Sequence, residues 1–406
     1  MAALPDGEPA PSDGLLPAGA AEQAAKQFGL YVHIPFCRVR CGYCDFNTYT
    51  QADMPGVSHG DYSHLAVREL EFADSVLEAS GVSRRPLSTV FFGGGTPTLL
   101  PAHDLTGVIK RSRELWGIES GAEITVEANP DTLDQAYLDA LAEGGVTRVS
   151  LGVQSFVPHV LSTLDRTHNP DIVPSVVQAI KNSGLQVSVD LIYGTPGESA
   201  SDWAHTLHRA LELQPDHVSA YSLIVEPGTA LARRVKRGEI DPIDDDVHAE
   251  YYEIADDALT AAGFDWYEVS NWSKGVDTRS RHNLSYWTGA DWWGIGPGAH
   301  SHVGGVRWWN VKHPTAYAER IGQGHSPALA REILGENERY MELVMLRLRT
   351  KEGLSTSALR DGHQAVVAWA IAQSLVEPEA ALQGTLVLTR SGRLIADQIA
   401  LRLFDH

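Results

Sequence analysis

The sequence predicts an α/β protein: a parallel sheet of six strands, followed by a smaller α+β module. Three observations carry this. Short β-branched and aromatic runs alternate with amphipathic helical runs between Leu30 and Tyr221, at a spacing of about 30 residues that marks βαβ units. Polar residues Glu127, Gln154, Asp190 and Tyr221 fall at or just past the predicted strand ends, where parallel α/β barrels build their sites. From residue 326 onward the alternation stops, and helical runs surround one short strand. The spacing fits a partial barrel and an open doubly wound sheet equally, with right-handed crossovers in both.

Composition narrows the function classes. At 406 residues the chain has room for two or three domains and a large core. Its 32 Lys and Arg against 52 Asp and Glu leave a net charge of −20. That argues against broad nonspecific binding to nucleic acid, which depends on neutralising phosphates. No apolar run is long enough for a transmembrane helix. The N-terminus lacks the basic-then-apolar pattern of a signal peptide. A cytoplasmic location is the expectation, and a homodimer stays open.

Taken in order, residues 1–25 are rich in Ala, Pro and Gly and read as a flexible tail. Gly29 to Phe36 reads as the first strand, stopped near Pro35. It feeds Cys37-Arg38-Val39-Arg40-Cys41-Gly42-Tyr43-Cys44, which holds all three cysteines of the chain. Three thiolates at this spacing suit three corners of a [4Fe-4S] cubane and leave the fourth iron open. A disulfide framework fits poorly, since the count is odd and the chain is large. Structural zinc would need a fourth ligand, with His33 or Asp45 as the candidates. A helix over Tyr62 to Ala79 and a strand over Ser88 to Phe92 follow. That strand runs into Gly93-Gly94-Gly95-Thr96, a turn whose missing side chains let backbone approach a ligand. Strands then begin at Glu123, Arg148, Val187 and His217, with helices between them. Glu127 also reads as a turn former and Asp190 as a buried structural acid. Asp241 to Asp246 reads as an acidic start to the helix Val247 to Ala262.

Seven of the ten tryptophans lie between Trp266 and Trp309. They suit the wall of a large flat ligand, or a core that closes the barrel. A histidine among them is a candidate axial haem ligand. The C-terminal stretch predicts helices over Glu336 to Arg349, Ala365 to Leu375 and Leu394 to Leu403, with a strand at Thr385 to Thr389. Lone basics such as Lys351, Arg390 and Arg393 make no stripe for nucleic acid.

The cysteine spacing resembles the signature of the radical S-adenosylmethionine (SAM) superfamily. The run Tyr31-Val32-His33-Ile34-Pro35-Phe36-Cys37 narrows the resemblance to the branch of oxygen-independent coproporphyrinogen III oxidases (HemN) and HemW haem chaperones. The oxidases carry a further cysteine two residues past the third; here that position is Phe46, which favours the chaperone side. His282-Asn283-Leu284-Ser285-Tyr286-Trp287 matches the His-Asn-x-x-Tyr-Trp motif linked there to haem. The resemblance implies a radical SAM partial (β/α)6 barrel over residues 26–240. An aromatic-rich closing segment over 241–325 and a winged-helix-like α+β domain of HemN type over 326–406 complete it. It implies Cys37, Cys41 and Cys44 as cluster ligands. It implies SAM contacts from Tyr31, Tyr43, Gly94, Gly95, Thr96, Glu127, Gln154, Arg166 and Asp190, with Ile224 a looser match. His282, Asn283, Tyr286 and Trp287 would serve haem. The implied function is a carrier that hands haem to an acceptor protein, with no catalytic residue assigned. The alternative is an oxidative decarboxylase acting on coproporphyrinogen III.

Overall fold

Strands buried on both faces dominate the first half of the chain, as parallel sheets require. The computed structural model describes residues 7–50, 59–242 and 244–404. From the N-terminus the chain runs β1 (Glu8–Pro9), α1 (Ala20–Gln23), β2 (Phe28–Ile34), α2 (His59–Ala79), β3 (Leu87–Gly94), α3 (Ala102–Leu115) and β4 (Ile118–Ala128). It continues through α4 (Gln135–Glu143), β5 (Arg148–Gln154), α5 (Pro158–Thr163), α6 (Val173–Asn182), β6 (Gln186–Tyr193), α7 (Ala200–Glu212) and β7 (His217–Ser222). Helices α8 (Ala230–Lys236) and α9 (Asp245–Ala261) lead to β8 (Asp265–Glu268), β9 (Asn271–Ser273) and α10 (Arg281–Thr288). Then come β10 (Asp291–Ile295), β11 (His300–Val303), β12 (Val306–Asn310), α11 (Pro314–Gly322) and β13 (Ala328–Ile333). The last part holds α12 (Glu336–Arg347), β14 (Leu354–Ser355), α13 (Gln364–Ala372), α14 (Pro378–Leu382), β15 (Thr385–Leu386), α15 (Arg390–Leu394) and α16 (Ala396–Phe404).

Helix starts follow their side-chain caps. Asp134 accepts from Tyr137 N, Ser199 and Asp202 form a capping box on α7, and Asp244 accepts from Asp246 N. The acidic run before α9 is therefore a cap as expected, apart from Ile243, which lies outside the described residues.

The sheet order is β1-β13-β12-β11-β10-β2-β3-β4-β5-β6-β7-β9-β8. Six parallel strands appear where the sequence places them, β2 to β7. A seventh parallel strand was not foreseen: β10 pairs with β2, with Asp291 opposite Phe28 and Ile295 opposite Val32. The tryptophan-rich segment thus extends the sheet at both edges, β9 and β8 beyond β7 and β10 to β13 beyond β2. Six of its seven tryptophans are strand residues, and Trp287 lies in α10. Among the described residues no pairing joins the two edges, and inward residues of β2 to β7 face one cavity, so the sheet is a partial barrel.

Three expectations need correction. Residues 7–25, expected as a flexible tail, lie against the sheet: β1 pairs with β13, and Ser326 N donates to Ser12 O at 2.8 Å. Residues 1–6 lie outside the described residues. The C-terminal unit does not start at 326, because Ala328–Ile333 is a strand of the main sheet; its separate core involves Tyr340, Val344 and residues after them. The strand expected over Thr385 to Thr389 shortens to β15, which pairs with β14, and Leu388 makes only an isolated bridge to Val376. No helix of the described residues is long and apolar enough to cross a membrane.

Glu69 ties α2 to the sheet extension. It is 1% exposed and accepts from Gly296 N (2.7 Å), Asn310 Nδ2 (2.7 Å) and Tyr317 OH (2.6 Å). Burial raises its carboxyl to about 7 against those donors. Glu69→Ala removes the acceptor from Gly296 N and Tyr317 OH and one of the two from Asn310 Nδ2, which keeps Gly296 O, so urea unfolding is expected to show a loss of about 3 kcal/mol.

Candidate functional site

The cysteine loop is fastened at three places. Pro35 ends β2, and Tyr49 then brackets the loop, donating to Pro35 O (2.7 Å) and accepting from Cys37 N (3.0 Å). Gly42 N donates to Leu164 O (3.1 Å), and Leu231 N of α8 donates to Gly42 O (2.8 Å). A Cβ on Gly42 would sit 2.3 Å from Asp165 Oδ2, so a larger residue there would push that carboxylate aside. The three thiols are unpaired and half-buried, and all line one cavity of about 530 Å³. Burial and the neighbouring thiols raise Cys37 to about 11, so a metal must displace a proton there. His33 is not a fourth ligand: its Nδ1 faces Tyr31 OH (3.0 Å) and its Nε2 faces Asn47 O (2.9 Å). The zinc alternative loses its nitrogen donor.

The glycine turn closes over the loop. Gly95 N donates to Ile34 O (2.7 Å), and a Cβ on Gly95 would meet Phe36 O at 2.3 Å. Gly94 has φ of 108°, a conformation that favours glycine, and its N donates to Glu127 Oε2 at 3.1 Å. Gln154 holds φ of 65° at a break in register between β5 and β6. Such strain in a non-glycine residue tends to gather at functional sites. Arg166 is fixed by Gly152 O (2.8 Å) and by Asn129 Oδ1, and its Nη1 donates to Cys41 Sγ at 3.5 Å. Its buried Nε has no partner.

Two acids face each other inside the barrel. Glu127 is pushed up to about 8 by burial and by the Asp190 charge. Asp190 is raised by burial, against hydrogen bonds from Ser150 Oγ at 2.8 and 3.0 Å. Asp190 lies mid-strand in β6, not at the rim, so it sits below the cysteines. Ile224 lies two residues past the end of β7 and is 66% exposed at the mouth.

The floor is α10. Glu123 Oε2 and Oε1 accept from Arg281 N (2.9 Å) and His282 N (3.0 Å). His282 is 2% exposed. Its Nδ1 faces Thr89 Oγ1 and its Nε2 faces Tyr286 OH, both at 2.8 Å. Burial holds its imidazole neutral, at about 3. Asn283 donates to Glu268 Oε1 at 2.8 Å. Every site residue expected from sequence lines this cavity except Trp287, which lies outside its lining.

Sequence reasoning missed Thr125, Arg148, Ser150, Ser188 and His217, all of which line the cavity. A signal existed. Ser150-x-Gly152-x-Gln154, Ser188-x-Asp190 and His217-x-Ser219-x-Tyr221 put polar or small residues at every second position of otherwise apolar strands, which turns them to one face.

The residues fit an iron–sulfur cluster with a SAM-sized ligand beside it. Three thiols share the mouth with an unpaired buried guanidinium nitrogen, and two glycines leave no room for a Cβ. Comparison with known proteins agrees. A family model described as the Radical SAM superfamily matches residues 31–210. The chain is 45% identical over 383 residues to the heme chaperone HemW of Mycobacterium tuberculosis, covering 94% of this chain and 96% of that one. It is 35% identical over 327 residues to HemW of Bacillus subtilis, covering 80% and 84%. It is 34% identical over 382 residues to the mitochondrial radical S-adenosyl methionine domain-containing protein 1 of Mus musculus, covering 91% and 84%. Among solved structures, coproporphyrinogen III oxidase (HemN) of Escherichia coli superposes with a TM-score of 0.78 at 22% identity, covering 97% and 94%, and shares the fold.

The raised Glu127 carboxyl makes a pH prediction. The folded chain holds that proton more tightly than the unfolded chain does. Its contribution to stability is therefore full below pH 4.5 and is lost as pH rises through about 8. Glu127→Gln keeps the oxygen that accepts from Gly94 and removes the charge. In urea unfolding of the ligand-free chain the variant is expected to match the parent near pH 5. Near pH 9 it should be more stable by about 2 kcal/mol, a cautious fraction of the roughly 1.4 kcal/mol per pH unit of displacement.

Proposed function

The chain belongs to the HemW haem-chaperone family of radical SAM proteins, and from that premise we propose that it binds haem and delivers it to an acceptor protein in the cytoplasm. The observation that carries the reading is that one cavity has the three cysteines at its mouth and the His-Asn-x-x-Tyr-Trp helix as its floor. Cys37, Cys41 and Cys44 would hold a [4Fe-4S] cluster, which supplies an open iron and an electron when bound. Arg166, whose buried Nε has no partner, would pair a carboxylate. Asp190, a two-oxygen acceptor among serines, suits ribose hydroxyls. The glycine turn offers backbone at close range to the amino end of SAM. Phe46, 57% exposed at the mouth, stands where the oxidases carry their additional cysteine.

Anaerobic reconstitution with iron, sulfide and haem tests this. The protein is expected to retain a cluster, to give a shifted haem absorbance and to pass haem to an apo-acceptor. Cys41→Ser should lose the cluster. Formation of protoporphyrinogen from coproporphyrinogen III with SAM and a reductant would favour the decarboxylase instead.

A further inference from the structure

Tyr221 stands near the end of β7, yet neither the cluster ligands nor the SAM contacts proposed above include it. The chain has ten Trp, thirteen Tyr and nine Phe. Aromatic side chains usually supply core area. Among the described residues only two of these rings stay exposed, Tyr221 at 45% and Phe46 at 57%. Both line the same cavity, and so do the exposed Val39 and Ile224.

We propose that Tyr221 and Phe46 form the aromatic surface that receives the face of the porphyrin inside this cavity; this rests on the haem reading above. The backbone under each ring is fixed. Tyr221 pairs with Ile192 of β6, and Ala220 N beside it donates to Ser270 O at 2.8 Å. Phe46 O accepts from Thr48 N (2.8 Å) and from Arg40 Nη2 (3.3 Å). The next residue, Asn47, is buried and donates to Pro297 O (2.9 Å) and Lys312 O (2.8 Å). Apolar surface left bare at fixed positions and rimmed by polar groups marks a binding groove, and a surface held ready loses little on binding. The register also sets its height. Ser219 opposes Asp190, so Tyr221 stands one inward layer nearer the mouth than that carboxyl.

The chemistry of the surface selects a broad flat ligand. SAM is polar apart from one base, and its proposed partners Glu127, Gln154 and Asp190 lie on β4, β5 and β6. Tyr221 on β7 and Phe46 beyond the cysteines add two ring faces, with the aliphatic Val39 and Ile224 beside them. A tetrapyrrole offers a face wide enough to use them together. No bond to iron is involved. Burial and the Asp190 charge raise the Tyr221 hydroxyl, so it stays a neutral phenol, and Phe46 has no ligating atom. The contact is indifferent to the metal, and the ligand class is a porphyrin with or without iron. The α10 floor then bounds the cavity beneath it.

The test titrates the full chain with haem by absorbance, with metal-free protoporphyrin IX by fluorescence, and with SAM by calorimetry. The parent protein is expected to bind both porphyrins. Tyr221→Ala and Phe46→Ala should each weaken metal-free porphyrin by about fivefold or more, with circular dichroism confirming the fold. Tyr221→Leu, which keeps apolar bulk without a flat face, should weaken it as well. Tyr221→Phe should recover the affinity that Tyr221→Ala loses. If it does not, the hydroxyl and not the ring carries the contact, and the inference fails. It fails too if either Ala variant binds porphyrin as the parent does, or if the variants lose SAM more than porphyrin, which would assign the surface to SAM. A parent that binds haem and refuses the metal-free ring also overturns it, while the haem reading stands. If the parent binds neither porphyrin, both fall.

Discussion

A helix inside a barrel must have its free N–H groups satisfied away from water, and Glu123 does this for α10. The carboxylate is 3% exposed and takes the first two backbone amides of the helix. Arg148, 2% exposed, sits 3.3 Å away and is fixed in turn by Gln186 Oε1 and by the carbonyls of Thr278 and Arg279. A negative group at a helix N-terminus is favourable, and a buried one needs a partner cation and full hydrogen bonding. The cation is present and each carboxylate oxygen takes an amide, while Arg148 Nη1 meets Glu123 as an ion pair without a hydrogen bond, and the cavity acquires a floor. Without this pair the interior of β2 to β7 would open at both ends.

The walls above that floor are polar where an ordinary barrel is filled with branched apolar chains. Serines, a histidine and two carboxyls occupy the inward positions. His217 shows how they are kept in place: its Nδ1 meets Ser188 Oγ at 2.8 Å and its Nε2 meets Tyr267 OH at 2.7 Å. The network hands support from the β8 edge to the carboxyl of Asp190, through Ser188. The cost is borne as raised acids in a confined space, an arrangement that favours a ligand bringing its own donors.

Much of this was legible in the sequence. Period-two strands and glycine-bounded helices marked six βα units. The cysteine spacing, the glycine turn and the strand-end acids marked residues that do converge on one cavity. The rest was illegible for physical reasons. Asp291 to Ile295 pairs with a strand more than 250 residues earlier, and no local pattern announces a partner that distant. The N-terminal segment reads as tail because two residues of strand, Glu8 and Pro9, leave no periodicity to detect. His282 stood out through its motif, but whether its ring nitrogens are free is decided by Thr89 and Tyr286, and only Tyr286 is near it in sequence.

The late position of the seventh strand also governs how the molecule is made. Translation releases the barrel wall, Phe28 to Ser222, before α10 and β10 exist. Domains fold as they emerge, and distant pairings close last. The nascent polypeptide thus presents an open-ended trough on the ribosome. Its cysteine loop is already complete, and its lower aperture shuts only once synthesis has passed residue 295.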